Sequence, residues 1–295
     1  MRLCKPSFEI IEQQYGLEGI YKQIELSGRV AYKSEDKITE DSYKGFVDRM
    51  IKLNHGAVLE HGTVYLLIPY EKAIDALGNN WVREQYSYNP YSVVTVYDNN
   101  YCITTNMRVL VEHNWLDDLQ YICEPTEHHE KRACVRFICD RGISHEFVRH
   151  RTFSFLMEST RYCNYSKDKF NNEITFILPY WVDEAQLGNH NSKDIIKAAG
   201  TIGQWTNDSE ISELVFLLSL AESEEKYLSL LNLGWKPQQA RAVLPNSLKT
   251  ELVMTGFISD WAHFFKLRDA GSAHPQAQEL AKPLHEEFIK RGYIK

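Results

Sequence analysis

Between Cys134 and Tyr162 the chain places Arg136, Arg141, Arg149, Arg151 and Arg161 and no lysine, although lysine outnumbers arginine over the whole sequence. A solvated surface accepts either cation, whereas arginine's rigid fork grips a phosphate or carboxylate with two parallel hydrogen bonds. Arg149-His150-Arg151 sets three potential cations side by side, which is costly unless an anion or carboxylates lie close by. Two readings stay open on composition alone: a phosphate site, or an ion-pair cluster with Asp140, Glu146 and Glu158.

Other chemistries are poorly served. The string HEFVRH (residues 145–150) reads H-E-x-x-x-H. On a helix His145 and His150 would point roughly 140° apart and could not share one metal. Serine-nucleophile elbows, Walker loops and GxGxxG are absent, which removes the α/β-hydrolase, P-loop and ordinary dinucleotide-fold readings. The six cysteines form no CxxC pair, so neither a zinc knuckle nor a thioredoxin-type motif is expected, and reduced thiols are the default.

The elements that must position these residues are partly legible. Leu17, Ile20, Tyr21 and Ile24 fall at helical spacing, as do Phe46, Val47, Met50 and Ile51, in a helix opening after Thr39 and closing at Gly56. Residues 63–69, 86–97, 101–107 and 133–139 read as strands rich in Val, Ile, Thr and Tyr. Asn207, with Glu210 three residues on, is expected to cap a long helix along Leu214, Leu217, Leu218, Ala221, Leu228 and Leu231, stopped by Gly234. A short helix is expected from Pro237 to before Pro245. Trp261, Phe264, Phe265 and Arg268 share a helical face, and Pro275 opens a last helix along Leu280, Leu284 and Phe288. No repeat or linker marks a boundary, so the pattern predicts one α+β domain.

A chain of 295 residues with 43% hydrophobic and 25% charged residues has the composition of a folded globular protein. Its net charge of −7 opposes general attraction to nucleic acid or anionic membrane, so an anion site must be local. No apolar run approaches the length of a membrane span, and the first residues lack a secretory pattern, so a cytoplasmic protein is expected.

The string RHRTFSFLMESTRY (residues 149–162) resembles the signature of the flavin-dependent thymidylate synthases: Arg-His-Arg, seven residues, then Ser159 followed by Arg161-Tyr162. HGAVLEH (residues 55–61) is similar to that family's HGxxxEH, and ARAVLP (residues 240–245) and Leu267-Arg268 with His274 follow in family order. The resemblance implies the family's α+β fold, with a mixed or antiparallel sheet and helices in a single domain over residues 1–295. Residues 70–129 or so would be an insertion. It implies reductive methylation of dUMP to dTMP, with FAD as cofactor, methylenetetrahydrofolate as one-carbon donor and NADPH as reductant. Family members act as homotetramers, without an enzymic cysteine nucleophile.

Carried over by position, the resemblance implies FAD contacts at His55, Arg149, His150, Arg151, Ser259 and His263. Substrate contacts fall at Glu146, Arg149, Glu158, Ser159, Arg161, Arg241 and Arg268. Arg268 is the expected catalytic position, where a permanent cation facing the uracil favours its electron-rich form. No metal is implied. Two departures stand out: Leu156-Met157 replace the polar pair usual before the serine, and Phe257-Ile258-Ser259 replaces an Asn-x-Arg.

Plainer readings exist for several of these residues. His55 before Gly56 can close a helix, His263 can be a core histidine, and Arg268 can be a helix-terminal cation. Cys163 has no supporting base, so a thiol nucleophile is not expected. Tyr162, Tyr165, Lys167 and Lys169 suggest single-strand nucleic-acid binding, which the net charge opposes. A divergent pyrimidine-nucleotide hydroxymethylase and a noncatalytic nucleotide-binding homologue are the alternatives closest to the main reading.

Overall fold

The computed structural model describes residues 1–75, 77–199 and 208–294. Short strands β1 (Arg2–Cys4) and β2 (Ser7–Ile11) lead into helices α1 (Gly16–Tyr32), α2 (Ser42–Lys52) and α3 (Gly56–Leu59). Strands β3 (Thr63–Pro69), β4 (Val93–Tyr97) and β5 (Asn100–Asn106) precede α4 (Met107–His113). Then come β6 (Arg132–Asp140), α5 (Arg141–Phe147), β7 (Ser154–Met157), β8 (Thr175–Ile177), β9 (Gly188–Asn189), α6 (Ser192–Ala199) and α7 (Asp208–Asn232). The chain continues through α8 (Pro237–Ala240), β10 (Lys249–Phe257), α9 (Ile258–Arg268) and α10 (Pro275–Lys290). The protein is therefore α+β.

Among the described residues the strands form three sheets, antiparallel except where β1 runs parallel to β8. The central sheet has the order β2-β6-β10-β7, with Leu252 opposite both Phe137 and Met157. Leu252, Val253 and Met254 are fully buried, because β10 has strands on both edges and packed layers on both faces. On one face lie α9 and α10, whose Trp261, Phe264, Phe265, Leu284 and Phe288 join Phe137 and Phe147 in one apolar cluster. On the other, Val30 of α1 packs against Cys134 and Val253. Gly256 matters here: a Cβ at that position would lie 2.5 Å from the Phe153 ring, so its absence lets Phe153 lie against β10.

An antiparallel sheet of order β3-β5-β4 shares a second core with α1 and α2, through Ile24, Phe46, Val64, Leu66 and Ile103. Residues 70–129 supply β4, β5 and α4 to this unit. The third sheet, β8-β1-β9, packs with α7 through Leu3, Phe176, Leu220 and Tyr227.

The expected strands over 63–69, 101–107 and 133–139 and the helices led by Pro237 and Pro275 are present. Two expectations need correction, and a third lies outside the described residues. The second helix closes at Lys52 rather than Gly56. Asn54, at φ 55°, takes the left-handed position, and the His55 N–H donates to the Met50 carbonyl at 2.9 Å, the pattern that ends a helix in a Schellman turn. Residues 86–97 are strand only from Val93, since a π-helical turn (Arg83–Ser87) buries Tyr86 and occupies the start. The expected cap at Asn207 and its partner Glu210 lie outside the residues whose side chains are described. The long helix itself ends at Asn232, before Gly234 at φ 92°.

Candidate active site

The arginine-rich segment follows from the local fold. Strand β6 carries Arg136, Asp140 caps α5 by accepting from the Ile143 N–H at 2.8 Å, and α5 then delivers Arg141 and Glu146. The turn after α5 presents Arg149, His150 and Arg151, and the chain re-enters the sheet as β7 before the loop of Glu158, Ser159 and Arg161.

None of the three nearby carboxylates neutralises the cluster. Glu146 pairs with Arg268, Glu158 with Lys249 at 3.1 Å, and Asp140, besides its capping role, accepts from Gln276 at 2.9 Å. Arg136 is the one arginine of the five with carboxylate partners, Glu251 and Glu35. Among the described residues Arg141, Arg149, Arg151 and Arg161 pair with no carboxylate. The ion-pair reading of this segment therefore fails for four of its five arginines.

Three uncompensated guanidiniums converge. Arg141, Arg161 and Arg241 line a cleft of about 290 Å³ together with Ser159, Thr160 and Tyr32. Arg241 donates to the Thr160 hydroxyl at 3.1 Å, and the Arg161 guanidinium lies 5.3 Å from the Tyr162 ring. Tyr162 in turn meets Tyr32 at 5.4 Å between ring centres. Three forks and a hydroxyl around one concave surface have the donor chemistry to hold a phosphate, and Tyr32 and Tyr162 offer rings beside them. Glu158 lines the same cleft, but its carboxylate faces inward to Lys249 and to the Tyr165 hydroxyl at 3.2 Å.

Beneath the cleft runs a buried ion chain: Lys33 and Lys249 both pair with Glu251, and Lys249 also pairs with Glu158. Burial alone would raise the Glu251 carboxyl, but the two ammonium groups overcome it and hold its pKa at about 2. Tyr165 is buried against this chain, so it is not the free stacking platform that a single-strand nucleic-acid site would use.

A second group forms where α5 meets α9. Arg268 donates from Nε to His150 Nε2 at 3.0 Å, from Nη1 to Glu146 Oε2 at 2.6 Å and from Nη2 to the Glu146 carbonyl at 2.8 Å. His150 must then carry its proton on Nδ1. Burial, with the charge of Arg268 and of His263 behind it, lowers its pKa to about 4. His150 is thus a neutral, buried acceptor at neutral pH. His263 stands 6.3 Å from it, ring to ring, and is exposed, so it is not a core histidine.

The remaining positions lie elsewhere on the protomer. Arg151 and Ser259 line a cavity of about 620 Å³ with Phe153 and Phe257. The Ser259 N–H donates to Glu130 at 3.1 Å. His55 lines another, of about 630 Å³, beyond Tyr32. Arg149 is exposed. Cys163 is fully buried and burial pushes its thiol up to about 12, which makes it inert as a nucleophile. All six cysteines are unpaired. Among the described residues no helix is long and apolar enough to cross a membrane.

Sequence reasoning named Arg141 among the five arginines without giving it a role, and did not single out Thr160 or Tyr32. Arg141 stood in the same lysine-free run, and that signal pointed to it. Tyr32 enters only through the tertiary packing of α1 beside the Ser159 loop, which no local pattern encodes.

The fold is that of an α+β protein with an arginine-lined cleft on its surface. Residues 124–291 match the family model described as Thy1, thymidylate synthase complementing protein, and this chain belongs to that family. It is 29% identical over 157 residues to a flavin-dependent thymidylate synthase of Pyrococcus furiosus, covering 53% of this chain and 54% of that one. It is 28% identical over 150 residues to a probable flavin-dependent thymidylate synthase of Paramecium bursaria Chlorella virus 1, covering 51% and 62%. The chain thus spans about half the length of the curated relatives it matches. Among solved structures it is similar to a UMP/dUMP methylase, PolB from Streptomyces cacaoi, at 16% identity and a TM-score of 0.43, covering 98% of this chain and 92% of that one. The Arg-His-Arg signature, Ser159, Arg161, Arg241 and Arg268 fall inside the family match; the HGAVLEH segment precedes it.

Proposed function

We propose that the protein is a flavin-dependent thymidylate synthase. It would convert dUMP to dTMP, with methylenetetrahydrofolate as one-carbon donor and NADPH as reductant. The observation that carries this reading is the gathering of Arg141, Arg161 and Arg241 with Ser159 on one cleft, none of the arginines paired with a carboxylate among the described residues. A phosphate monoester there would accept charge-assisted hydrogen bonds from guanidiniums that no carboxylate among the described residues engages.

Arg268 is the proposed catalytic residue. Three of its five N–H groups hold it to Glu146 and His150, leaving two to donate to a pyrimidine edge. A fixed cation at that edge stabilises negative charge as it develops on the ring, which replaces a covalent nucleophile. Substrate contacts are proposed for Glu146, Arg149, Ser159, Arg161 and Arg241; Glu158, its carboxylate turned inward to Lys249, is proposed to position the loop of Ser159 rather than to touch the substrate.

The cavity with Arg151, Ser259, Phe153 and Phe257 is the proposed FAD site: its wall is mixed, Glu60 and Glu112 are both paired with Arg108, and Arg151 forms no ion pair among the described residues. Arg149, Arg151, Ser259, His263 and His55 would contact it, and His150 would fix Arg268 from behind. FAD when bound supplies hydride chemistry; the chain supplies placement, charge and exclusion of water. The proposed residues occupy separate surfaces of one protomer, which supports a homotetramer in which neighbouring copies complete each site. Residues 70–129 are read as an insertion into a single domain, and the unpaired cysteines fit a cytoplasmic protein.

The test is the visible spectrum of purified protein after incubation with FAD and desalting. A retained flavin spectrum is expected, and dTMP formation follows as the assay. A spectrum free of flavin both with and without added dUMP would overturn the reading.

A further inference from the structure

The cleft that holds His55 is distinguished by its charge. Lys33, Lys37, Arg49 and Lys169 line it, with Asp36 as the sole acidic residue on its wall. Lys33 is compensated by Glu251 and Glu35. Among the described residues Lys37, Arg49 and Lys169 form no ion pair; Lys169 donates to the Lys33 carbonyl at 3.0 Å and lies over the Phe170 ring, and Arg49 lies over the Phe46 ring. In a chain of net charge −7, uncompensated cations gathered on one concave surface repel one another unless a bound anion offsets them.

Two features say which anion. The phosphate cleft is built from arginine forks and holds about 290 Å³, whereas this one is lysine-rich and holds about 630 Å³. Ammonium groups on flexible stems suit carboxylates spread along a mobile chain better than one tetrahedral group of fixed geometry. The two clefts are also neighbours. Tyr32 lines both, Tyr162 packs on Tyr32, and the ion chain from Lys33 through Glu251 and Lys249 to Glu158 joins their floors.

We infer that this cleft holds the polycarboxylate tail of an aromatic co-substrate whose ring system lies at the Tyr32–Tyr162 junction, beside the nucleotide. The inference rests on the proposed activity, in which that co-substrate is a reduced folate and the carboxylates are those of its γ-linked glutamates. Lengthening the tail brings more carboxylates to Lys37, Arg49 and Lys169 without changing the reacting end.

The experiment compares equilibrium binding of methylenetetrahydrofolate monoglutamate and pentaglutamate to protein loaded with FAD and dUMP. The protein is wild type, Lys37→Glu/Arg49→Glu, or Lys282→Glu as a charge control away from the cleft. The wild type and the control are expected to bind the pentaglutamate at least tenfold tighter, and the double variant to lose that preference. Lys37→Glu alone, on an exposed turn, carries the test should the double variant fold poorly. Equal affinity of the wild type for both forms, or a preference that survives in the variants, overturns the proposal. Relief of the preference by inorganic tripolyphosphate but not by free pentaglutamate overturns it in favour of a phosphate chain. Formation of dTMP from the monoglutamate separates the two readings: its presence without a tail preference sinks the tail site alone, and its absence sinks the activity as well.

Discussion

Arg268, the last residue of α9, is held to Glu146 of α5 twice, through the side-chain carboxylate at 2.6 Å and the main-chain carbonyl at 2.8 Å. Two helices packed on the same sheet are thereby latched by one guanidinium. Lysine cannot reproduce this, because it lacks the planar fork. Arg268→Ala is expected to abolish turnover nearly completely while FAD binding persists, and Arg268→Lys to recover little of the rate. Steady-state dTMP formation with flavin absorbance as the control checks this; unchanged turnover in the alanine variant refutes the assignment.

In the proposed site, phosphate recognition would divide among three arginines and a serine. Arg161→Ala should weaken dUMP binding by roughly 1.5–3 kcal/mol, the value of a charged hydrogen bond. Arg141→Ala should have a smaller effect in the same direction, and Ser159→Ala should lower both affinity and rate. Affinities for dUMP and deoxyuridine measured side by side decide it. The variants should discriminate less between the two than wild type does, and discrimination retained in full would count against a phosphate role.

His150 makes stability depend on pH. Its pKa falls from 6.5 to about 4 on folding, so between those values the unfolded chain binds more protons than the native one, and stability declines as pH drops from about 6.5 toward 4. His61 is fully buried and depressed to about 3 by burial and by Arg132, so it contributes a slope of the same sign. His150→Gln, which keeps an acceptor for Arg268, should flatten part of this dependence in urea titrations across that range. A slope identical to wild type would show that His150 is not a source.

Gly256→Ala should destabilise by about 1–3 kcal/mol, because the added methyl meets Phe153 inside a packed core. Urea midpoints at constant m-value measure it. A neutral effect would mean that Phe153 moves freely.

Several elements and the arginine run were legible in the sequence because their signals are local: a β-branched, apolar run in β3, a leading proline in α10, a lysine-free stretch before Tyr162. Strand β10 was not, although it is the centre of the main sheet. Leu252, Val253 and Met254 are buried on both faces, so no period-two alternation marks them. Strand β7 is four residues long and reads as signature loop. The candidate site divides the same way. Ser159, Arg161 and Arg241 meet in one cleft, yet the pairing of Arg268 with Glu146 and His150, and the entry of Tyr32, depend on helices distant in sequence that pack on or beside one sheet. Glu158 illustrates the limit: its position flags a substrate contact, while only the structure shows its carboxylate turned to Lys249.

The most direct test is the identity of the product. Protein loaded with FAD, and given dUMP, NADPH and methylenetetrahydrofolate labelled at its one-carbon unit, should yield dTMP carrying the label in its 5-methyl group, identified by mass spectrometry. Unchanged dUMP, or a nucleotide with the mass of the 5-hydroxymethyl derivative, would contradict the account.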